Sequence, residues 1–549
     1  MPLDALVTGR IATLAGDAGF GWVEAIGIRE GRVAFAGSEV DLETRADPHT
    51  ERIVLEPDKV ALPGLTDAHL HLVQAGLAAH HVDLTAAGTL DDGLAAIGRG
   101  HAHLPDPDAW LEGHGWDSDR WGRWPTAADL EAVAPGRRVA LWAHDHHALL
   151  ASAAALRTAG IDRDTPDPAG GLLRRTAAGD PDGVLHESAA RLVMNHVPAA
   201  SREAVEDAIV AVGRELISLG VVACHDPGGL SLDTDLGWAF PAYARLSDTG
   251  RLPLRVHACI RQEALGTAIE RGLRSGAPLG SDTLGRAVVG WQKVFADGSL
   301  GSRTAALLAD IEPEPDRPLA PDHRRGVWLT EPDELIVLAA RAADAGIATQ
   351  IHAIGDAAAR AALDALGPVA GRTPLMPRLE HVQLLDPDDR GRFAASRIAA
   401  SVQPIHLRSD AATARASWGE RAEGSAYAWA SIAATGAVVA FGTDAPVEPF
   451  DPWPGLALAV LRADPSWPDG TPPFGPHEAI PLDRAVRAAC IDPAVSAGER
   501  DRGRLTVGQR ADVVVVAAAV LDEPVAVGGA LATARPDLVL LDGEVAFER

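Results

Sequence analysis

Lysine is almost missing from this chain. Of the 49 lysines and arginines, only Lys59 and Lys293 are lysine, so nearly every cation is a guanidinium. Positive charge is scarce as a whole. Seventy-six acidic residues leave a formal net charge of −27. A polyphosphate chain or an anionic lipid surface would be repelled, which argues against nucleic-acid and membrane partners. Cysteine is limited to Cys224, Cys259 and Cys490, odd in number and widely spaced. That excludes a disulfide framework and a thiolate zinc site, and it fits a reducing compartment. No apolar run reaches about 18 residues, so no membrane span is expected. No basic stretch leading into an apolar one opens the chain, so the expected location is cytoplasmic. The H-E-x-x-H helix of zinc peptidases is also absent.

A lysine that persists against this bias is a candidate for chemistry closed to arginine. Arginine stays protonated, whereas a buried lysine amine can lose its proton. A neutral amine can add carbon dioxide to give a carbamate, an anionic oxygen ligand able to bridge two metal ions. Lys293 lies in the apolar run Val288-Val289-Gly290-Trp291-Gln292-Lys293-Val294-Phe295, followed by the turn Asp297-Gly298-Ser299. The competing structural reading is a lysine snorkelling from a barrel rim. Lys59 is expected to be a solvated surface residue.

The 549 residues suit a large barrel with an appended module, and 47% hydrophobic content allows a sizeable core. The first sixty residues alternate short strands with turns, and residues 500–549 repeat the style. Neither end is long enough for a good core, so residues 1–60 and 500–549 are expected to pair as a small β-sandwich. Between them, strand-like and Ala-rich helical runs alternate, which implies parallel βα units and a (β/α)₈ TIM barrel over 61–499. A unit needs roughly 30 residues, and about 150 separate Lys293 from Asp444, close to four units. About 220 separate His71 from Lys293, where three units would take about 90. The excess is expected to be an insertion after barrel strand 1, over 95–210, covering the barrel mouth. It holds Trp110, Trp116, Trp121, Trp124 and Trp142.

His69 and His71, in Asp67-Ala68-His69-Leu70-His71, follow the apolar run Val60–Leu65, which reads as one buried strand. Histidines at i and i+2 share a face, giving half of a metal site. His352 closes the run Ile347–Ile351, His381 follows Pro377-Arg378-Leu379-Glu380, and Asp444 follows Ala440-Phe441-Gly442-Thr443. Each has a structural alternative: a core histidine, a surface histidine and a helix N-cap respectively. Together they fall at the C-terminal ends of successive strands, where barrel enzymes gather catalytic groups.

This set resembles the amidohydrolase superfamily, in the branch containing N-substituted formamide deformylase. The matching segments run from Leu62 to His71 and from Lys293 to Thr304, with His352-Ala353-Ile354-Gly355-Asp356, Glu380-His381 and Gly442-Thr443-Asp444-Ala445-Pro446. Gly503–Asp512 matches the superfamily's return to the sandwich. The resemblance implies that His69, His71 and Asp444 hold one divalent metal, His352 and His381 the other. Carboxylated Lys293 would bridge them together with a hydroxide that attacks the substrate. Zinc is the expected metal, since imidazole and carboxylate suit it. Asp444 would carry the proton to the leaving nitrogen.

Candidate substrate-binding residues are Trp116, His147, His225, Arg303 and Gln403, with His406 also near the mouth. His147 resembles a histidine of the branch's insertion, although the usual Asn after it is replaced, with Ser152 near that place. Asp356 and Glu380 are candidate partners for the ligand histidines. The leading function is metal-dependent hydrolysis of a non-peptide carbon–nitrogen bond in a neutral or hydrophobic small-molecule amide or N-substituted formamide. A homodimer is the candidate assembly. A mononuclear deaminase would usually add a Glu shortly after His352, where Ala353-Ile354-Gly355-Asp356 stands, and would leave Lys293 without a task. A non-catalytic binding barrel would have lost ligands, and none is lost.

Overall fold

Eight short parallel strands organise the centre of the chain. They are β1 (Leu65–Asp67), β2 (Val221–Asp226), β3 (Arg255–Arg261), β4 (Ala287–Phe295), β5 (Thr349–Ala353), β6 (Arg378–His381), β7 (Ala399–Val402) and β8 (Val439–Phe441). Each pairs with the next in sequence order. At the seam, the Ala68 amide donates to the Phe441 carbonyl over 2.9 Å, so the barrel nearly closes, as expected. The computed structural model describes residues 3–45, 47–79, 81–228, 239–281, 285–313 and 323–549.

Helices cover the barrel because their apolar residues recur every three or four positions. Helix α1 (Arg202–Ser218) starts at Ser201, whose side chain caps the Ala204 amide, and buries Val205, Ile209, Val212 and Leu216. Helix α2 (Asp356–Leu366) is nearly all alanine and leucine and lies close to the barrel. Its approach requires Gly355, since a Cβ there would meet the Ala306 carbonyl oxygen at 1.9 Å.

The apolar run Val60–Leu65 is two strands, a correction to the single strand expected. Lys59–Pro63 pairs antiparallel with Val513–Ala517, and only Leu65–Asp67 enters the barrel. Gly64 marks the break: a Cβ there would lie 2.6 Å from Val222 Cγ2. Hydrophobicity reports that a segment is buried, not which sheet buries it. Strands from both ends of the chain form one connected eight-stranded sheet. It has its own core of Val7, Ile11, Ile26, Val513, Val515 and Leu540. Lys59 is half-buried rather than solvated, with Nζ 2.7 Å from Asp537.

After β1 a six-stranded sheet runs from Val82–Asp83 to Pro181–Glu187. It thus starts before residue 95, and residues 202–210 belong to α1. Trp116 and Trp121 are buried in its core and Trp110 in a neighbouring cluster. Three of the five tryptophans therefore stabilise the inserted sheet itself.

Barrel and terminal sheet are tied by Arg255, the first residue of β3. Its side chain is 3% exposed, with Nη1 2.8 Å from Asp512, and it also pairs with Asp542. Removing one partner of a buried ion pair leaves an uncompensated charge, typically costing about 3–5 kcal/mol. Arg255→Met should therefore lower the thermal and denaturant midpoints of the whole chain. An unchanged midpoint would show that the two parts do not depend on this pair.

Candidate metal centre

The centre is assembled where β1 and β8 end. Asp67, the last residue of β1, accepts from the His69 amide (3.0 Å), the Thr443 amide (3.1 Å) and the Thr443 hydroxyl (2.6 Å). Burial pushes its carboxyl up to about 7. The Asp444 amide then donates to the His69 carbonyl over 2.6 Å, and the His71 amide to the Ala445 carbonyl over 3.0 Å. These backbone bonds bring the H-x-H pair to an aspartate that is far away in sequence. Asp444 (φ 61°) and His381 (φ 72°) both sit in the left-handed region, a conformation costing of order 1–3 kcal/mol each for such residues. Surrounding bonds hold them there, and the bend aims both side chains inward.

The ring nitrogens show what the site is made to hold. His69 Nδ1 lies 2.6 Å from Glu380 Oε2, an ionised acceptor, so Nδ1 carries the proton. His71 Nδ1 faces the Gly228 carbonyl and must also carry one. Each Nε2 is left as a bare lone pair. His69 Nε2 is 3.3 Å and His71 Nε2 3.2 Å from the same oxygen, Asp444 Oδ1. Neither His69 Nε2 nor Asp444 Oδ1 has a hydrogen-bond partner. Burial, reinforced by the Lys293 charge, lowers His69 to about 4, so its Nε2 carries no second proton. Two lone pairs aimed at one carboxylate oxygen repel unless a cation lies between them. Neutral imidazole with carboxylate is a donor set that suits zinc and similar divalent ions.

The second cluster departs from the expected pair of His352 and His381. His381, His406 and Asp444 offer ligand-type atoms within 4.8 Å of one another. The rings of His352 and His381 are nonetheless adjacent, with centroids 4.5 Å apart. His381 Nδ1 is 2.9 Å from Gln403 Oε1 and donates to it, leaving Nε2 free for a cation. His352 Nε2 donates to the Gly298 carbonyl over 3.1 Å, leaving Nδ1 as its lone pair. His406 differs in kind. Its Nδ1 faces the Gln383 amide nitrogen at 3.2 Å, so its proton sits on Nε2, 3.4 Å from Asp444 Oδ2. Burial alone would lower its pKa, but the Asp444 carboxylate beside it outweighs that and raises it. His406 thus faces Asp444 as a charge partner, with no hydrogen bond from Nε2, where its place in the sequence points only to the mouth.

Lys293 is 1% exposed on β4, with Nζ 4.7 Å from the Phe295 ring centre. Burial brings its amine down to about 8, and its charge is felt at His69, His352, His381 and Glu380. Of the expected partners, Glu380 holds His69. Asp356 instead accepts from the Leu308 amide (2.8 Å), away from the ligands. Asp297, fully buried, takes the amides of Ala306, Ile354 and Gly355 and lies 3.7 Å from His352 Nε2. In sequence it reads only as part of the turn Asp297-Gly298-Ser299.

The five expected substrate contacts divide. His147 lines a cavity of about 260 Å³ beside Trp142, Glu187, Arg261 and Phe295, and its ring is 5.2 Å from that of His352. Glu187 bonds its Nδ1 at 2.8 Å. Arg303 and Trp124 line a neighbouring cavity of about 630 Å³, and Glu187 borders both cavities. The other three are held by partners within the fold. Trp116 is 1% exposed, and its indole donates to the Leu141 carbonyl inside the inserted sheet. His225 is fully buried and accepts from Arg378 Nη1 at 2.7 Å. Gln403 is engaged by His381. Ser152 caps the helix Ala153–Thr158 and takes no part in the cavity.

Gln403→Leu removes the acceptor that fixes His381. Loss of such a partner typically weakens metal binding about 10–100-fold. Competition with a chromogenic chelator should show that loss, while Trp116→Phe should lower stability and leave metal affinity unchanged.

Comparison with known proteins agrees with this geometry. The amidohydrolase family profile matches residues 58–547. "Putative amidohydrolase YtcJ" of Bacillus subtilis is 31% identical over 531 residues, covering 96% of each chain. N-substituted formamide deformylase of Arthrobacter pascens is 26% identical over 525 residues, 90% of each chain. Among solved structures, an uncharacterized metal-dependent hydrolase from Pyrococcus horikoshii OT3 superposes with a TM-score of 0.72 at 26% identity, covering 93% of this chain and 97% of the other. These likenesses and the donor set support a metal-dependent hydrolase. A profile that runs from just before the terminal-sheet strand Lys59–Pro63, through the whole barrel, to the last strand of that sheet shows that the chain belongs to the amidohydrolase family.

Proposed function

We propose that this protein hydrolyses a carbon–nitrogen bond other than a peptide bond in a neutral or hydrophobic amide or N-substituted formamide, using two divalent ions, zinc by preference. The observation that carries the reading is the convergence of the His69 and His71 lone pairs on Asp444 Oδ1. His69, His71 and Asp444 would hold one ion, and His352 and His381 the other. Bound there, the ions supply Lewis acidity and make a water acidic enough to lose a proton near neutral pH. Asp444 would accept a proton from such a water and pass it to the leaving nitrogen. His406, 3.4 Å from Oδ2, faces the carboxylate with a raised pKa and would favour its ionised form. Lys293, its amine lowered by burial, would on adding carbon dioxide and losing a proton offer an anionic oxygen ligand to the ions. Trp142 and Phe295 give the cavity aromatic walls, which favour an apolar substituent.

The same reading places the enzyme in the cytoplasm, with a small-molecule amide as substrate and a homodimer as its assembly. Three buried free cysteines and the charge of −27 support it. Among the described residues no helix is long and apolar enough to cross a membrane.

Elemental analysis of protein grown in metal-supplemented medium should give close to two equivalents. It should be run beside an activity screen of formamides, N-acyl amines, cyclic amides and esters. Full activity without metal ends the proposal, and a single equivalent favours a mononuclear deaminase. Asp444→Asn should lower turnover about 10²- to 10⁴-fold with a much smaller effect on substrate affinity. Lys293→Arg should be as inactive as Lys293→Ala, because a guanidinium keeps its charge. An active Lys293→Arg enzyme would remove the bridging role.

A further inference from the structure

One guanidinium closes the barrel interior beneath the histidines. Arg378, the first residue of β6, is fully buried. A buried charge is costly, and an apolar side chain would fill the same space with less penalty. Its contacts are correspondingly specific. Nε and Nη2 lie 2.9 and 2.8 Å from Glu380 Oε1. Nη2 also donates to the Ala68 carbonyl (2.8 Å) and to Gln350 Oε1 (2.9 Å). Nη1 donates to His225 Nδ1 (2.7 Å). The plane stacks on Trp291, with Cζ 4.1 Å from the ring centre. One side chain therefore binds groups from β2, β4, β5 and β6 and from the residue that follows β1.

Arg378 and Glu380, at i and i+2 of one strand, face the same way. The guanidinium occupies Glu380 Oε1, so the other oxygen, Oε2, is left for His69 Nδ1 at 2.6 Å. The bond to the Ala68 carbonyl grips the residue directly before His69. The carboxylate and the backbone that together orient the His69 ring are thus both held by the same arginine.

We propose that Arg378 is a positioning residue for the metal centre. Acting through Glu380 and Ala68, it fixes the orientation and tautomer of His69, so that the Nε2 lone pair points at the cation. Lysine cannot substitute, because a point charge lacks the planar fork that reaches Glu380, Gln350, Ala68 and His225 together. The inference deepens the proposed function and rests on the centre taking up a metal.

The test is a double-mutant cycle on the full-length protein. Affinity for zinc is measured against a chromogenic chelator, and the visible absorption of the cobalt(II)-loaded protein is recorded alongside. Arg378→Met and Glu380→Gln should each weaken metal binding about 10–100-fold and alter the cobalt spectrum. In the Glu380→Gln background, Arg378→Met should add less than about threefold, since its main route to His69 is already cut. Effects that simply multiply would show that the arginine does not act through Glu380, and would overturn the proposal. Should Arg378→Met fail to fold, Arg378→Lys preserves the charge. It should still lose affinity and shift the cobalt bands, and parental affinity with an unchanged spectrum would overturn the proposal. None of these readouts needs turnover. A protein that cleaves no amide yet obeys the cycle refutes the proposed reaction alone, and an active amidase with independent effects refutes the role of Arg378 alone.

Discussion

Two backbone segments 376 residues apart meet at the bonds from Thr443 to Asp67, and the hydrogen bond from the Asp444 amide to the His69 carbonyl lies beside them. The other features of the centre follow from this junction. It closes the barrel, lays His69 and His71 against Asp444, and sets the bend that turns the aspartate inward. Because the two strands at this seam are only three residues long, a few hydrogen bonds and the Asp67 carboxylate hold the register. The histidines are placed by the backbone before their side-chain partners refine them.

Those partners share a logic. Each ring that faces the centre gives its one N–H to a fixed acceptor: His69 to Glu380, His71 to Gly228, His352 to Gly298 and His381 to Gln403. The acceptors differ in chemistry, but each leaves the other ring nitrogen as a lone pair. In a buried site of low dielectric, such lone pairs and a carboxylate are strongly unfavourable together without a cation. The protein accepts that repulsion in exchange for a site ready to bind a metal, and it sets His406, a ring with a raised pKa, beside Asp444.

Much of this could be read from residue order alone. Parallel βα units, both termini in one module, a long insertion after the first strand and the exceptional Lys293 all leave periodic or compositional traces. The H-x-H pair and Asp444 were legible because their residue types are unusual at strand ends. Asp67, Asp297, Gln403 and His406 were harder to place, since a buried carboxylate or amide serving another side chain looks like any turn residue in sequence. The tryptophans misled for a related reason. Trp116 is apolar enough for a substrate wall and equally for a sheet core, and only the Leu141 carbonyl taking its indole proton decides between them. Likewise Val60–Leu65 is uniformly hydrophobic, although its two halves belong to different sheets.

The terminal sheet has a consequence for synthesis. Lys59 and its partner Asp537 are 478 residues apart. At about 5–20 residues per second, roughly 25–95 seconds separate their emergence from the ribosome. Throughout that interval the strand Lys59–Pro63 has no Val513–Ala517 to pair with, and an unpaired apolar edge is a template for association with other chains. The nascent protein must therefore keep its first sixty residues shielded until almost the last strand has been made.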